Sequence, residues 1–167
     1  DNSFSMTLKG TEWELLSEAR EQARKLIEKA SVETRIMLVT NEMSGIEQRL
    51  VTKIEALDRL DKIEISPMVK STSDVINWMR DEIEKESATN QKLGAKQYVI
   101  LSDFQENSAD FKKIKSDSTG FYYPIQLVPQ SLSNVFIDSI WFNDPNFKVG
   151  INNELNVRIR NTGDKDL

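Results

Sequence analysis

Five residues at the start of the chain, Asp1-Asn2-Ser3-Phe4-Ser5, set a carboxylate and two hydroxyls at alternate positions ahead of a strongly helical stretch. Oxygen donors of this kind suit a hard cation such as Mg²⁺, and three alternating residues in a turn can face one point. The same residue types also cap helices, where their side chains satisfy the free amides of the first turn. Two further clusters have this double character: Ser71-Thr72-Ser73 ahead of a second helical stretch, and Ser102-Asp103 at the end of an apolar run. The chain contains neither histidine nor cysteine. Ser-His-Asp and Cys-His mechanisms are therefore excluded, as is a His-ligated zinc or iron site. Any metal must be oxygen-bound, and any catalysis falls to carboxylates, Lys or Tyr.

The elements that must position these residues follow from the hydrophobic pattern. With 167 residues, 38% hydrophobic and 29% charged, the chain suits one domain, or one domain with part of another. No apolar run approaches the ~20 residues of a membrane span. Lys and Arg are scattered among Asp and Glu at a net charge of −5, so no basic face for nucleic acid is expected. From Thr11 to about Ser31, Leu15, Leu16, Ala19, Ala23, Leu26, Ile27 and Ala30 recur at helical spacing. "TRIMLVTNE" reads as a buried, parallel strand at about Arg35 to Thr40, "MSG" as a turn and "QRLVT" as a short strand. "KIEALDRLD" has helical spacing, and "KSTSDVINWMRDEIEKESATNQ" a hydroxyl-capped start with Val75, Ile76, Met79 and Ile83 on one face. "KQYVILSDF" is the best buried-strand candidate. A short helix near Ala109 to Ile114 and a strand "FYYPIQLVP" complete the alternation, with Pro124 indicating an edge position. Trp13, Trp78 and Trp141 read as core or half-buried anchors.

Strand and helix in alternation imply a parallel sheet with helices on both faces, and ligands of such sheets sit beyond the carboxyl ends of the strands. The three polar clusters all fall on strand-to-helix loops of that one edge. After Pro129 the pattern becomes alternating strands with Asp, Asn, Pro and Gly turns, the opening of an immunoglobulin-type β-sandwich that the sequence does not complete.

"DNSFS" resembles the DxSxS signature of von Willebrand factor A (vWA) domains, whose sheet edge holds a metal-ion-dependent adhesion site. "SDVINWM" stands where the family supplies a threonine, and "VILSDF" where it supplies an aspartate at a strand end. The resemblance implies Mg²⁺ or Mn²⁺ held by Asp1, Ser3, Ser5, Ser73 and Asp103, with Thr72 as the hydroxyl if the register shifts by one. More narrowly, the run through "FIDSIWF" and "NELNVRIRNTGD" looks like membrane-anchored vWA proteins of the aerotolerance-operon (BatA-like) type, in which a CARDB-like sandwich follows. The implied fold is α/β: a vWA/Rossmann-like, mostly parallel sheet over residues 1–130, its first strand missing, then the first strands of an incomplete sandwich over 134–167. By that comparison the chain is a fragment. The inner edges of "RIMLVT" and "YVILS" are then left open, to self-associate or to take up "VFIDSIWF".

Neutral hydroxyl ligands leave the cation most of its charge and an open position, which an Asp or Glu of a partner protein can fill. The expected function is therefore a non-catalytic, metal-dependent protein–protein contact. By resemblance only, it belongs to a bacterial envelope protein anchored outside this segment, with no membrane contact by the segment itself. Two alternatives remain open: Mg²⁺-dependent phosphoryl transfer with Asp1 as nucleophile, and a scaffold without metal.

Overall fold

The computed structural model describes residues 1–44, 49–90, 94–114, 120–130, 135–143, 150 and 153–161, in two compact units, Asp1–Pro129 and Gln130–Leu167. The turn at Gly45, the end of "DFKKIKSD" and the end of "NTGDKDL" lie outside the described residues.

In the first unit the helical patterns become helices. The first, α1, spans Leu15–Lys29, shorter than the periodicity suggests because residues 8–14 form a tight loop, with Leu15 N–H bonded to the Leu8 carbonyl. It buries Leu15, Leu16, Ala19, Ala23 and Ile27 as one stripe, while Leu26 stays exposed. Trp13, expected as an anchor, lies on that loop ahead of the stripe and is 54% exposed. Helix α2 spans Lys53–Asp61. Its Thr52 cap accepts from Glu55 N–H, and Ala56 and Leu60 pack against Ala23 and Ile27. Helix α3 spans Thr72–Asn90 and buries Ile76, Arg80 and Ile83.

Strand β1, Lys96–Ser102, pairs in parallel with β2, Gly120–Gln126, and Pro124 stands opposite Ile100. Tyr98 and Tyr122 stack across this pair at 4.9 Å. Among the described residues the parallel sheet has these two strands, so it is a small α/β arrangement and not the multi-stranded sheet the alternation implied. The difference lies at "RIMLVT". There only Ile36 pairs, with Val51, in an antiparallel bridge of 3.0 and 2.8 Å; among the described residues "QRLVT" contributes only that bridge. A strand assignment needs a ladder on at least one side over several residues, and apolar composition cannot supply the partner. Residues 109–114 likewise form only a short 3-10 turn, Phe111–Lys113.

Two apolar clusters meet above β1. Met6, Leu15, Leu16, Ala19 and Leu127 make one, and Ala23, Ile27, Val51, Ala56 and Leu60 the other; Ile63 and Leu101 pack against both. The second unit holds one antiparallel pair, β3 (Val135–Phe142) with β4 (Leu155–Asn161). Ile137 and Ile140 are an odd number of residues apart and would face opposite ways, but a register irregularity at Asp138 restores them to one side. One face of the pair thus carries Ile137, Ile140, Phe142, Leu155, Val157 and Ile159, all exposed. The other face carries Arg158 over the Trp141 ring and Asp138 paired with Arg158 and Arg160. No helix among the described residues is long and apolar enough to cross a membrane.

Leu15 is fully buried between Met6 and Leu127, so Leu15→Ala should lower unfolding free energy by about 2–5 kcal/mol in urea denaturation. Val32→Ala, at a position 88% exposed, should change it by no more than about 0.5 kcal/mol.

Candidate metal-binding site

The backbone of Asp1–Ser3 lies between two other segments. The Asp1 nitrogen donates to the Leu101 carbonyl at 2.9 Å, and the Asn2 carbonyl accepts from Ser66 N–H at 2.8 Å. Ser3 forms a parallel bridge with Ser66. Residues 4–7 then turn as a short 3-10 helix, which inserts Met6 into the core and leaves Phe4 72% exposed. The turn puts Ser3 and Ser5 on one side: their hydroxyl oxygens are 3.1 Å apart.

The Asp1 carboxylate is fixed by three donors. Oδ1 accepts from Ser3 N–H and from the Asn41 amide, each at 2.9 Å, and Oδ2 accepts from the Ser102 hydroxyl at 2.6 Å. Asn41 is itself buried and held: its backbone N–H donates to Asn2 Oδ1, and its amide also donates to the Met68 carbonyl at 3.0 Å. Asp103 follows Ser102 and keeps one carboxylate oxygen outside its contact with the Gln105 amide, which reaches Oδ2 at 3.0 Å. Burial pushes the amine of Asp1 down to about 6, against the opposing pull of the Asp103 charge.

At the second loop the roles divide differently from the expectation. Ser71 caps α3, accepting from Asp74 N–H at 3.1 Å. Ser73 donates both its backbone N–H (2.9 Å) and its hydroxyl (2.8 Å) to Asp110, and Thr72 N–H bonds to the Ser108 carbonyl at 2.9 Å. With Val75 N–H on the Ser71 carbonyl, the first-turn amides of α3 are all satisfied. Ser73, taken as the hydroxyl ligand from the sequence, thus has its hydroxyl proton committed to Asp110. Thr72 lines the same cavity as Asp1, Asn41 and Ser102, and its hydroxyl has no hydrogen-bond partner among the described residues.

These donors suit a hard cation in kind and spacing. Adjacent ligands about 2.1 Å from Mg²⁺ stand about 3 Å apart, the separation of the Ser3 and Ser5 hydroxyls. Asp1 is positioned as an ionised acceptor, able to order bound water. Among the described residues no three acidic side chains converge, so the candidate set rests on two carboxylates and on hydroxyls. Asn41 and Asp110 were not singled out in the sequence, and Ser102 only as the neighbour of Asp103. Asn41 could have been found by the rule that led to Asp103, because it too ends an apolar extended run. Asp110 gave no signal, since it comes from a loop with no motif. Comparison of the chain with protein-family models, with curated proteins and with solved structures finds no match.

Asp110 supplies a pH test. Burial raises its pKa, but the Ser73 N–H, the Ser73 hydroxyl and Lys113 outweigh this and hold the carboxyl down to about 2, from an ordinary 3.8. A folded-state value below the unfolded one means stability that is present above about pH 4 and lost as pH falls toward about 2. Asp110→Asn should flatten the stability profile across that window. A profile unchanged from the parent would show that the clamp on Ser73 does not form.

Proposed function

We propose that this chain uses the Asp1 edge to bind one divalent cation, Mg²⁺ or Mn²⁺, and through it an acidic side chain of another protein, without catalysing a reaction. The vWA resemblance of the three loops motivates the reading, including its envelope setting. The observation that carries it is the pair of Ser3 and Ser5 hydroxyls 3.1 Å apart beside a carboxylate immobilised by three hydrogen bonds. Ser3 and Ser5 are the direct ligands, Asp1 and Asp103 act mainly through bound water, and the third hydroxyl comes from the Ser73 loop. Ser73, whose hydroxyl donates its proton to Asp110 and keeps oxygen lone pairs for a cation, is the first candidate for it, and Thr72, which lines the cavity shared with Asp1, is the alternative.

Neutral ligands leave the cation electrophilic toward a carboxylate from outside. The surroundings favour a macromolecular source for it: Phe4, Met68 and Val69 are exposed apolar side chains on the loops that carry Ser3, Ser5 and the carbonyl bonded to Asn41. Apolar groups around a polar anchor are the usual composition of a protein contact. Phosphoryl transfer by Asp1 is less well supported, because three donors already occupy its carboxylate and hold it as an acceptor.

Calorimetric titration with Mn²⁺ should give one site. Ser5→Ala and Asp103→Ala should each weaken it at least tenfold; unchanged affinity in Asp103→Ala would refute the ligand assignment. Ser73→Ala should weaken binding more than Thr72→Ala, and the reverse order would give the hydroxyl role to Thr72. Phosphatase turnover with Mg²⁺ that disappears in Asp1→Asn would replace the contact reading with the enzyme.

A further inference from the structure

The direction of the hydrogen bonds around Ser73 can be assigned from the donors present. An ionised carboxylate has no proton to give, so in the 2.8 Å contact between the Ser73 hydroxyl and Asp110 Oδ2 it is Ser73 that donates. The hydroxyl oxygens of Ser71 and Ser73 stand 3.1 Å apart. With the Ser73 proton committed to Asp110, Ser71 is the donor of that pair, while its own oxygen accepts from Asp74 N–H. One directed chain therefore runs from Ser71 through Ser73 to Asp110. A hydroxyl oxygen has two lone pairs, and Ser73 keeps one of them after accepting from Ser71. Thr72 has no such chain, since its hydroxyl is bonded to nothing among the described residues and no acceptor fixes its proton.

Asp110 reaches the start of α3 on a loop that folds on itself. The loop begins at Asp103, the carboxylate at the end of β1, and closes where the N–H groups of Ser108 and Ala109 bond to the Gln105 carbonyl at 3.0 and 2.9 Å. The rings of Phe104 and Phe111 meet across it at 5.3 Å. Two bonds dock it on α3, Thr72 N–H to the Ser108 carbonyl and Ser73 N–H to Asp110 Oδ1, each at 2.9 Å. The carboxylate of Asp110 is thus held at both oxygens, and Oδ2 also lies 3.3 Å from the exposed Lys113 ammonium. All of these contacts lie within the protein, so the polarity of the Ser73 hydroxyl is set before any ligand arrives.

We propose that Asp110 is a positioning residue of the cation site, turning the Ser73 proton aside and adding negative charge to the Ser73 oxygen, so that this hydroxyl binds a cation more strongly than a free one. The inference rests on the metal reading above. A ligating hydroxyl must direct its proton away from the cation, and an acceptor already in place removes the need to order it on binding. Hydrogen bonds in a chain polarise one another, and a carboxylate behind a ligating group raises its basicity. Removal of such a partner lowers metal affinity by about 10–100-fold. Asp110 acts here through Ser73 alone.

Mn²⁺ titration near neutral pH of the parent chain, Asp110→Asn, Ser73→Ala and the double variant tests this. In Asp110→Asn the side-chain carbonyl can still accept from Ser73 N–H, but the amide donates to the Ser73 oxygen, occupying its remaining lone pair and releasing its proton. Each single variant should bind at least about tenfold more weakly than the parent. The double variant should be within about twofold of the weaker single one, because both changes remove the same interaction. Losses that multiply, or unchanged affinity in Asp110→Asn, would overturn the proposal and leave the metal reading standing; a parent that binds no Mn²⁺ would overturn both. A further measurement needs no variant: in the metal-free parent the Ser73 hydroxyl proton should be resolved by NMR and exchange at least about tenfold more slowly than that of a free serine. Exchange as fast as a free serine would overturn the assignment of that proton to Asp110.

Discussion

The carboxylate of Asp1 ties together the edge of the first unit. It accepts from its own turn through Ser3, from the segment after residue 40 through Asn41, and from the end of β1 through Ser102. Each donor belongs to a different stretch of chain, and each is fixed by something else: Ser3 by its bridge to Ser66, Asn41 by Asn2 and Met68, Ser102 by the β1–β2 ladder. A charged acceptor at the centre of such a network makes stronger hydrogen bonds than a neutral one. It also concentrates the cost of failure, since losing the charge leaves three donors poorly paired in partly buried surroundings. The geometry of Ser3 and Ser5 is therefore a consequence of Asp1, because the turn that presents them starts from the bond between Ser3 N–H and Asp1 Oδ1.

The loop before α3 solves the same problem with a carboxylate from outside. Asp110 accepts two bonds from Ser73 while Ser71 caps the helix, so two of the three consecutive hydroxyl residues hold the helix end in place. Thr72 is the remainder. Its backbone is pinned to Ser108, and its side chain is left to the cavity that Asp1 also lines. In a run of three hydroxyls, the contacts of each are set by which neighbours the helix end needs, and those of Ser73 depend on a residue nearly forty positions away.

This explains which parts of the structure could be read in the sequence. The stripe of α1, the Thr52–Glu55 cap of α2, the hydroxyl-capped start of α3 and the strand at "YVILS" are all specified by residues within a turn or two of one another, and all are present. The strand at "RIMLVT" has the right composition but acquires only the Ile36–Val51 bridge, because a strand is defined by its neighbour. Of the candidate site, Asp1, Ser3, Ser5 and Asp103 could be named from their spacing and from their positions at element ends. What differs between Ser73 and Thr72 could not be seen locally: it involves Asp110, whose contact with α3 no periodicity announces.

Asp1 belongs both to the candidate site and to the lining of the cavity behind it. Asp1 is held toward β1 by a single backbone bond to Leu101, while its carboxylate organises Ser3 and, through Asn41, the loop that carries Met68. Hydrogen bonds give a position its direction, but its stiffness comes from close packing on all sides, and here the space behind Asp1 is cavity. Ligand groups must be held to within about 0.5 Å to favour one small, strictly octahedral ion. The carboxylate of Asp1 is therefore placed by its three hydrogen bonds rather than by packing behind it, and its positional freedom sets how closely the donors of this edge are held.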